Sequence, residues 1–214
     1  MPQILLLGQH SSGKSTLGRE LARSKQALFL SAGELIRAEI TRGSPSGKLI
    51  ADDVADGRDV PEELSYGLLS RALESDASSR GLVVVDGYPR HATQITRLHA
   101  VLGRPPEAAV LLEAPTELLV HRSRTRTVCP TCHEIYGEAI PPTRTGECDV
   151  CDGQLTSRPE DVDVDVIVRR HRVWQKEAQA ILAGLRQRSR IFRVDVTQSP
   201  QRVFEQVHEL VSRW

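Results

Sequence analysis

A chain of 214 residues with 28 Lys and Arg against 28 Asp and Glu has no net formal charge; it is long enough for one domain with a sizeable core and too short for two large independent ones. The balance excludes a global field that would draw in nucleic acid or an acidic membrane surface, so any anion site must be built locally. No stretch approaches the roughly 18 apolar residues needed to span a bilayer, and Met1 leads into a short apolar run with no basic leader or small-residue cleavage site, so a soluble, cytoplasmic protein is expected.

The first element is the run Ile4-Leu5-Leu6-Leu7, read as a buried strand. It leads at once into Gly8-Gln9-His10-Ser11-Ser12-Gly13-Lys14-Ser15, which satisfies G-x-x-x-x-G-K-[ST], and the helix-permitting Thr16 to Arg23 follows. A loop of this kind turns backbone N–H groups and the positive end of the helix onto phosphate oxygens, with Lys14 as a mobile cation. Only four of the 28 cations are lysines, which makes the motif harder to ascribe to composition. The pattern points to a nucleoside triphosphate.

A second strand is predicted at Ala27 to Leu30. Three helices then intervene, Ala32 to Arg42, Ser46 to Asp56 and Pro61 to Asp76, before a third strand at Leu82 to Val85. So long an excursion suggests a small helical subdomain beside the sheet. Strands at Ala108 to Leu112 and Ile191 to Val194 complete five, each separated by longer segments of helical spacing, the signature of a parallel sheet covered by helices. The segments Thr116 to Arg126 and Asp161 to Arg188 read as helices. Between them, Thr127 to Ser157 is rich in Pro, Gly and Cys and poor in helical period, which reads as a lid whose base moves with those helices.

All four cysteines lie in that insert, as Cys129-x2-Cys132, fifteen residues, then Cys148-x2-Cys151. This is zinc-ribbon spacing. Four thiolates can surround one Zn2+, and the metal replaces a core that so polar a segment cannot form. Fe at the same thiolates is the alternative on sequence alone. Two disulfides are disfavoured in a cytoplasmic chain, and redox chemistry is disfavoured by the presence of two C-x-x-C pairs. His133 reads as a solvated histidine rather than a fifth ligand.

Phosphoryl transfer needs charge neutralisation more than covalent chemistry, so arginines should gather where phosphate chains meet. The candidates are Arg90 in Asp86-Gly87-Tyr88-Pro89-Arg90, Arg122 and Arg126 one helical turn apart, Arg158 in Arg158-Pro159-Glu160-Asp161, and Arg169 eleven residues later. With Ser31-Ala32-Gly33-Glu34-Leu35-Ile36-Arg37, Gln94, Glu117-Leu118-Leu119 and the four-cysteine insert, these segments stand in the order seen in adenylate kinases. The sequence resembles that family, in its long form with a zinc-bearing lid, over nearly its whole length.

The resemblance implies an α/β P-loop NTPase fold: a five-stranded parallel sheet with helices on both faces, a core of residues 1–30, 67–126 and 158–214, an acceptor-binding helical subdomain at 31–66, and a zinc-ribbon lid at 127–157. It implies that Ser11, Ser12, Gly13, Lys14, Ser15 and Thr16 hold the ATP phosphates, with Arg126, Ile135 and Tyr136 nearby and Arg122 against the donor adenine. Arg37, Arg90, Arg158 and Arg169 would bind acceptor and transferring phosphates. Lys14, Arg90, Arg122, Arg158 and Arg169 form the implied catalytic set. Ala32, Arg58, Asp59, Val60, Gly87, Tyr88, Pro89 and Gln94 would line the acceptor, most simply AMP, because a carboxamide at Gln94 suits the edge of adenine. Mg2+ would be held by the Ser15 hydroxyl and, through water, by Asp86. Glu160 and Asp161 would take part in lid closure, and the chain is expected to be a monomer.

Departures from the family pattern fall at the loop and at the acceptor. His10 replaces Pro, and reads either as a phosphate or lid contact or as a solvated loop histidine. Ser11 and Ser15 replace Gly; the first removes a residue that tolerates positive φ, the second supplies a hydroxyl for Mg2+. Ala32 replaces Thr and Asp59 an apolar residue, so Asp59 is either exposed or marks an acceptor other than plain AMP. Besides a kinase for AMP or another monophosphate, the residues admit a nucleotide-controlled binding module with a zinc ribbon. The insert's acidic residues Glu134, Glu138, Glu147, Asp149 and Asp152, against Arg144, disfavour a nucleic-acid contact.

Overall fold

The computed structural model describes residues 2–75 and 81–212. The chain opens with β1 (Gln3–Gly8) and α1 (Lys14–Lys25), then β2 (Leu28–Ser31) and three helices, α2 (Ala32–Thr41), α3 (Pro45–Ala55) and α4 (Glu62–Ser75). There follow β3 (Val83–Asp86), α5 (Ile95–Leu102), β4 (Ala108–Glu113) and α6 (Thr116–Thr125). The cysteine-rich insert carries the two-residue strands β5 (Thr127–Val128) and β6 (Ile135–Tyr136). The chain returns through α7 (Val164–Arg186), β7 (Arg190–Asp195) and α8 (Pro200–Val211).

The large sheet has the order β2-β3-β1-β4-β7 and is parallel throughout. β1 is central and buried along its whole length, so its side chains feed two cores in alternation. Leu5 and Leu7 meet Leu69, Leu98, Ile181 and Leu185 of α4, α5 and α7. Ile4 and Leu6 meet Leu17 and Leu21 of α1 and Val207 and Val211 of α8. Helices thus cover both faces, and the sheet's carboxyl edge, where Gly8 and Asp86 end their strands, is left to the loops. A smaller core of Ile36, Ile50 and Leu68 joins α2, α3 and α4.

Predicted and observed elements differ chiefly at their ends. The expected helix at Pro61 to Asp76 runs from Glu62 to Ser75, and Asp76 lies outside the described residues. The long helix expected from Asp161 starts at Val164. Pro159 opens a separate 3-10 turn over Pro159–Asp161, and Asp163 caps the new start by accepting the Asp165 N–H at 2.8 Å. Among the described residues no helix is long and apolar enough to cross a membrane.

α3 approaches α2 through Gly47, which sits one turn inside a helix capped by Ser44, whose Oγ accepts the Gly47 N–H at 2.9 Å. A Cβ at Gly47 would collide with the Glu39 carbonyl and lie 2.9 Å from Ile40 Cα. Those are backbone atoms, so only separation of the helices relieves the clash. Gly47→Ala is therefore expected to cost about 1–3 kcal/mol, read as a lower unfolding midpoint in denaturant; an unchanged midpoint contradicts this packing.

Candidate active site

The loop between β1 and α1 is shaped by its backbone. Gly8 and Gly13 hold φ of 142 and 90, and Ser11 takes φ of 60, the left-handed region that a Gly would enter more cheaply. Its hydroxyl offsets that cost, lying 2.7 Å from the Ser123 hydroxyl of α6. Gln9 is tied to α7, its Oε1 2.5 Å from His171 Nδ1, and its carboxamide also meets Thr116 at the start of α6. Ser11, one of the departures from the familiar loop pattern, and its neighbour Gln9 thus fasten the loop to the two helices from which the insert springs. Lys14 folds over the loop, donating to the Gly8 and Gln9 carbonyls at 2.9 and 2.6 Å. Burial lowers its pKa to about 8, although Asp86 opposes the shift.

Above the loop lies a cleft of about 860 Å³. One side presents Gly13 to Thr16, Arg122, Arg126, Ile135 and Tyr136, with Val196, Val203 and Phe204 forming an apolar wall; the other presents Ile36, Arg37, Val60, Gly87 and Arg90. Lys14, Arg158 and Arg170 line the same cleft. At the same edge Ser15 donates its hydroxyl to Asp86 Oδ2 at 2.6 Å. A hydroxyl and a carboxylate so close together are oxygen donors of the kind Mg2+ requires.

Two carboxylates order the cations. Asp161, with 1% of its side chain exposed, receives a two-pronged contact from Arg126, Nε at 2.8 Å and Nη2 at 2.6 Å, and a longer one from Arg170 at 3.4 Å. Glu160 faces Arg37 at 3.4 Å and Arg170 at 4.0 Å. Burial works against charge on three cations of the cleft: Arg37 is lowered, Arg170 is lowered to about 10, and Arg158, also crowded by Arg126 and Arg37, is lowered well below the ordinary arginine value. Because guanidinium stays protonated at any ordinary pH, the cost remains as unbalanced positive field in the cleft. The Nε of Arg158 is buried and has no hydrogen-bond partner among the described residues, a donor placed for an acceptor that those residues do not supply.

The insert brings its four thiols together, all within 4.8 Å of one another, with Cys129 3.4 Å from Cys151 and Cys132 3.4 Å from Cys148. Sulfurs about 2.3 Å from a common tetrahedral centre lie about 3.8 Å apart, so the donor set fits a metal of that geometry. The two C-x-x-C turns are alike. In each a backbone N–H, of His133 and of Asp152, closes on the carbonyl of the first Cys at 2.9 Å, from a residue with φ of 63 or 56. His133 contributes its backbone to the turn and is not part of the thiol cluster. Gly153 leaves room for the sulfurs, since a Cβ there would sit 3.1 Å from Cys129 Sγ. Arg19 of α1 joins the insert to α2, donating to the Cys132 carbonyl at 3.3 Å and to Glu34 at 2.7 Å.

The family profile described as adenylate kinase matches residues 6–190. The chain belongs to the adenylate kinase family. It is similar to the adenylate kinases of Thermosipho melanesiensis, 29% identical over 98% of this chain and 99% of that one, and of Clostridium beijerinckii, 29% identical over 98% of each. The adenylate kinase of Symbiobacterium thermophilum is 31% identical over 97% of each. Membership makes the chain a nucleoside monophosphate kinase, transferring a phosphoryl group from ATP to AMP.

For an adenylate kinase cleft, most of the expected residues converge, but several stand apart. Arg169 lies outside the cleft lining and donates to the Asp56 carbonyl at 3.1 Å, whereas Arg170 faces the carboxylates. The available signal was helical phase: Arg170 is four residues after Val166 and three after Ile167, both buried, and so shares their stripe. Asp59 is neither free nor deep. About a third exposed, it holds Arg90 Nη1 and His91 Nε2, each at 2.9 Å. Gln94 is also outside the lining, its Oε1 accepting the Arg90 N–H at 2.7 Å and, more weakly, that of His91 at 3.3 Å. Ala32 packs beneath Gly87, Tyr88 and Pro89 line a smaller adjoining cavity, and Arg58 lines the cleft while paired with Asp53 and Asp56. Arg122 donates to the Val196 carbonyl at 2.9 Å.

Burial raises the cost of charge on Glu160, yet Arg170 and Arg37 hold its carboxyl below the ordinary value of 4.5. A carboxyl with a lowered pKa stabilises the fold above its unfolded value, and that contribution is lost as the pH falls through the lowered one. Unfolding midpoints followed from neutral pH to about 3 are expected to drop steeply below about 4 in the native chain and more gently in Glu160→Gln. Identical acid limbs would contradict the pairing.

Proposed function

We propose that ATP lies on the α1 side of the cleft and AMP on the α2 to α4 side, and that an AMP phosphate oxygen attacks the γ-phosphorus in line. The bond from that phosphorus to the β–γ bridging oxygen breaks, and two ADP molecules result. The single observation that carries this reading is the convergence of Lys14, Arg37, Arg126, Arg158 and Arg170 on one cleft, with one Arg158 donor unpartnered. Fixed donors around developing phosphoryl charge are the main form of catalysis such a reaction requires.

Backbone N–H groups of Ser12 to Thr16 and the Lys14 ammonium hold the donor phosphates. Arg122, fixed by the Val196 carbonyl, stacks on the donor base. Arg37 and Arg90 hold the AMP phosphate, and Arg158 and Arg170 take the transferring group, Arg170 replacing Arg169 in that role. Asp59 keeps Arg90 aimed. The Ser15 hydroxyl and Asp86 would hold Mg2+, which neutralises and orients the triphosphate. Gln94, its oxygen occupied by backbone, offers its NH2 to N1 of adenine; guanine carries a hydrogen there, which disfavours GMP. Residues 31–66 form the acceptor arm, and residues 127–157 the lid, which shuts out water, with a structural Zn2+ on Cys129, Cys132, Cys148 and Cys151. The chain acts as a soluble monomer on small nucleotides.

ADP production measured with each nucleoside monophosphate in turn is expected to be fast with AMP and slow with GMP. Arg170→Ala should lower kcat by on the order of a thousand-fold and Arg169→Ala by less than about three-fold. ATP consumption indifferent to every monophosphate would refute the reading, and the reverse ranking of the two arginines would refute the assignment of Arg170. Metal analysis of the purified chain should find about one Zn per molecule, and its removal by a chelator should lower the unfolding temperature. A metal-free chain of undiminished stability contradicts the structural Zn2+.

A further inference from the structure

His10 is a loop residue whose imidazole faces both the main cleft and a cavity of about 50 Å³ bounded in part by Lys14, Arg90 and Arg170. Among the described residues it accepts and donates no hydrogen bond; its one ring contact is edge-to-face with His171, centroids 6.2 Å apart and planes at 80°. His171 cannot drift, being 1% exposed and held through Nδ1 by Gln9. An oriented, unpartnered ring therefore stands where the donor-side cation Lys14 meets Arg90 and Arg170.

We propose that His10 is a further catalytic residue, donating an imidazole N–H to a non-bridging oxygen of the phosphoryl group in transit. This rests on the reading of the cleft given above. The three charged neighbours that bound the small cavity with it are donors only, so none of them can accept the His10 proton. The acceptor must arrive with a ligand, and the ligand that converging cations select is anionic oxygen. Burial, together with Arg170, Arg90, Lys14 and His171, holds the free imidazole neutral, so it retains one N–H and adds no charge to an already crowded cationic set. A neutral directed donor complements point charges there: it fixes the position of the moving group while the arginines balance its charge. His171, beneath it, is a positioning residue.

Nuclear magnetic resonance of the native chain with 15N-labelled histidine tests the contact directly. Adding Mg2+ and an ATP analogue with a nitrogen β–γ bridge should shift the His10 ring nitrogen and slow exchange of its proton, whereas ADP, which lacks the γ-phosphoryl group, should not. Kinetically, His10→Ala should lower kcat roughly a hundred-fold with KM for AMP within two-fold, and His10→Asn, which keeps an N–H donor, should recover part of the loss. An unmoved His10 resonance with the analogue, or a His10→Ala kcat within two-fold of the native value, overturns the proposal while leaving the kinase reading intact. A native chain without AMP-dependent ADP formation overturns both.

Discussion

The adjacent carboxylates Glu160 and Asp161 are the constraint around which this molecule is organised. Both are buried, at 1% and 4% exposure, in the 3-10 turn ahead of α7. They face guanidinium groups from three separate places: Arg37 on α2, Arg126 at the end of α6, and Arg170 on α7. Buried ion pairs of this kind add little net stability, because desolvation consumes most of the attraction. What they supply is orientation. Remove either carboxylate and several cations would have to leave the cleft, because a buried charge without a partner costs several kcal/mol.

The same arithmetic explains how a chain of zero net charge binds polyanions. Among the residues that line the cleft, Lys14, Arg37, Arg58, Arg90, Arg122, Arg126, Arg158 and Arg170 outnumber Glu20, Asp86, Glu138 and Glu160, leaving cations in excess. The carboxylates are too few to neutralise the site and enough to make it foldable. An arriving phosphate chain completes the balance, and the Nε of Arg158, without a hydrogen-bond partner among the described residues, marks one acceptor that is missing. The loop is drawn into the same arrangement through Ser11 and Ser123, and through Gln9 and His171. The loop is thereby tied to α6 and α7, the helices on either side of the insert.

Local patterns were legible in the sequence because local physics sets them. The apolar runs found their strands, the glycine spacing found the phosphate loop, and the paired C-x-x-C turns close as their spacing requires, each on the backbone of the residue that follows its second Cys. The misses came from geometry that no short window contains. Arg169 reads as the acceptor arginine in the sequence because it stands eleven residues after Arg158, as the resemblance implies; the side chain that meets the buried carboxylates is Arg170, which shares the stripe of Val166 and Ile167. Asp59 is exposed, one of the two readings the sequence left open, and only its pairing with Arg90, remote in sequence, was hidden. Ser11 does hold a positive φ of 60, as its replacement of Gly leads one to expect; what the sequence hid is its partner Ser123, 112 positions away. Gln94 looked like a base reader, and half of its hydrogen-bonding capacity proved to be spent on the backbone at Arg90 and His91.

The central claim is that one preassembled cationic junction receives the phosphates of both nucleotides. Its most direct test is a crystal structure with two adenosines joined through a single polyphosphate chain. The account predicts phosphate oxygens within hydrogen-bond distance of Lys14, Arg37, Arg158 and Arg170, one adenosine on each side of the cleft, and Arg169 untouched. A phosphate chain that bypasses Arg158 and Arg170, or that ends outside the junction, would contradict it.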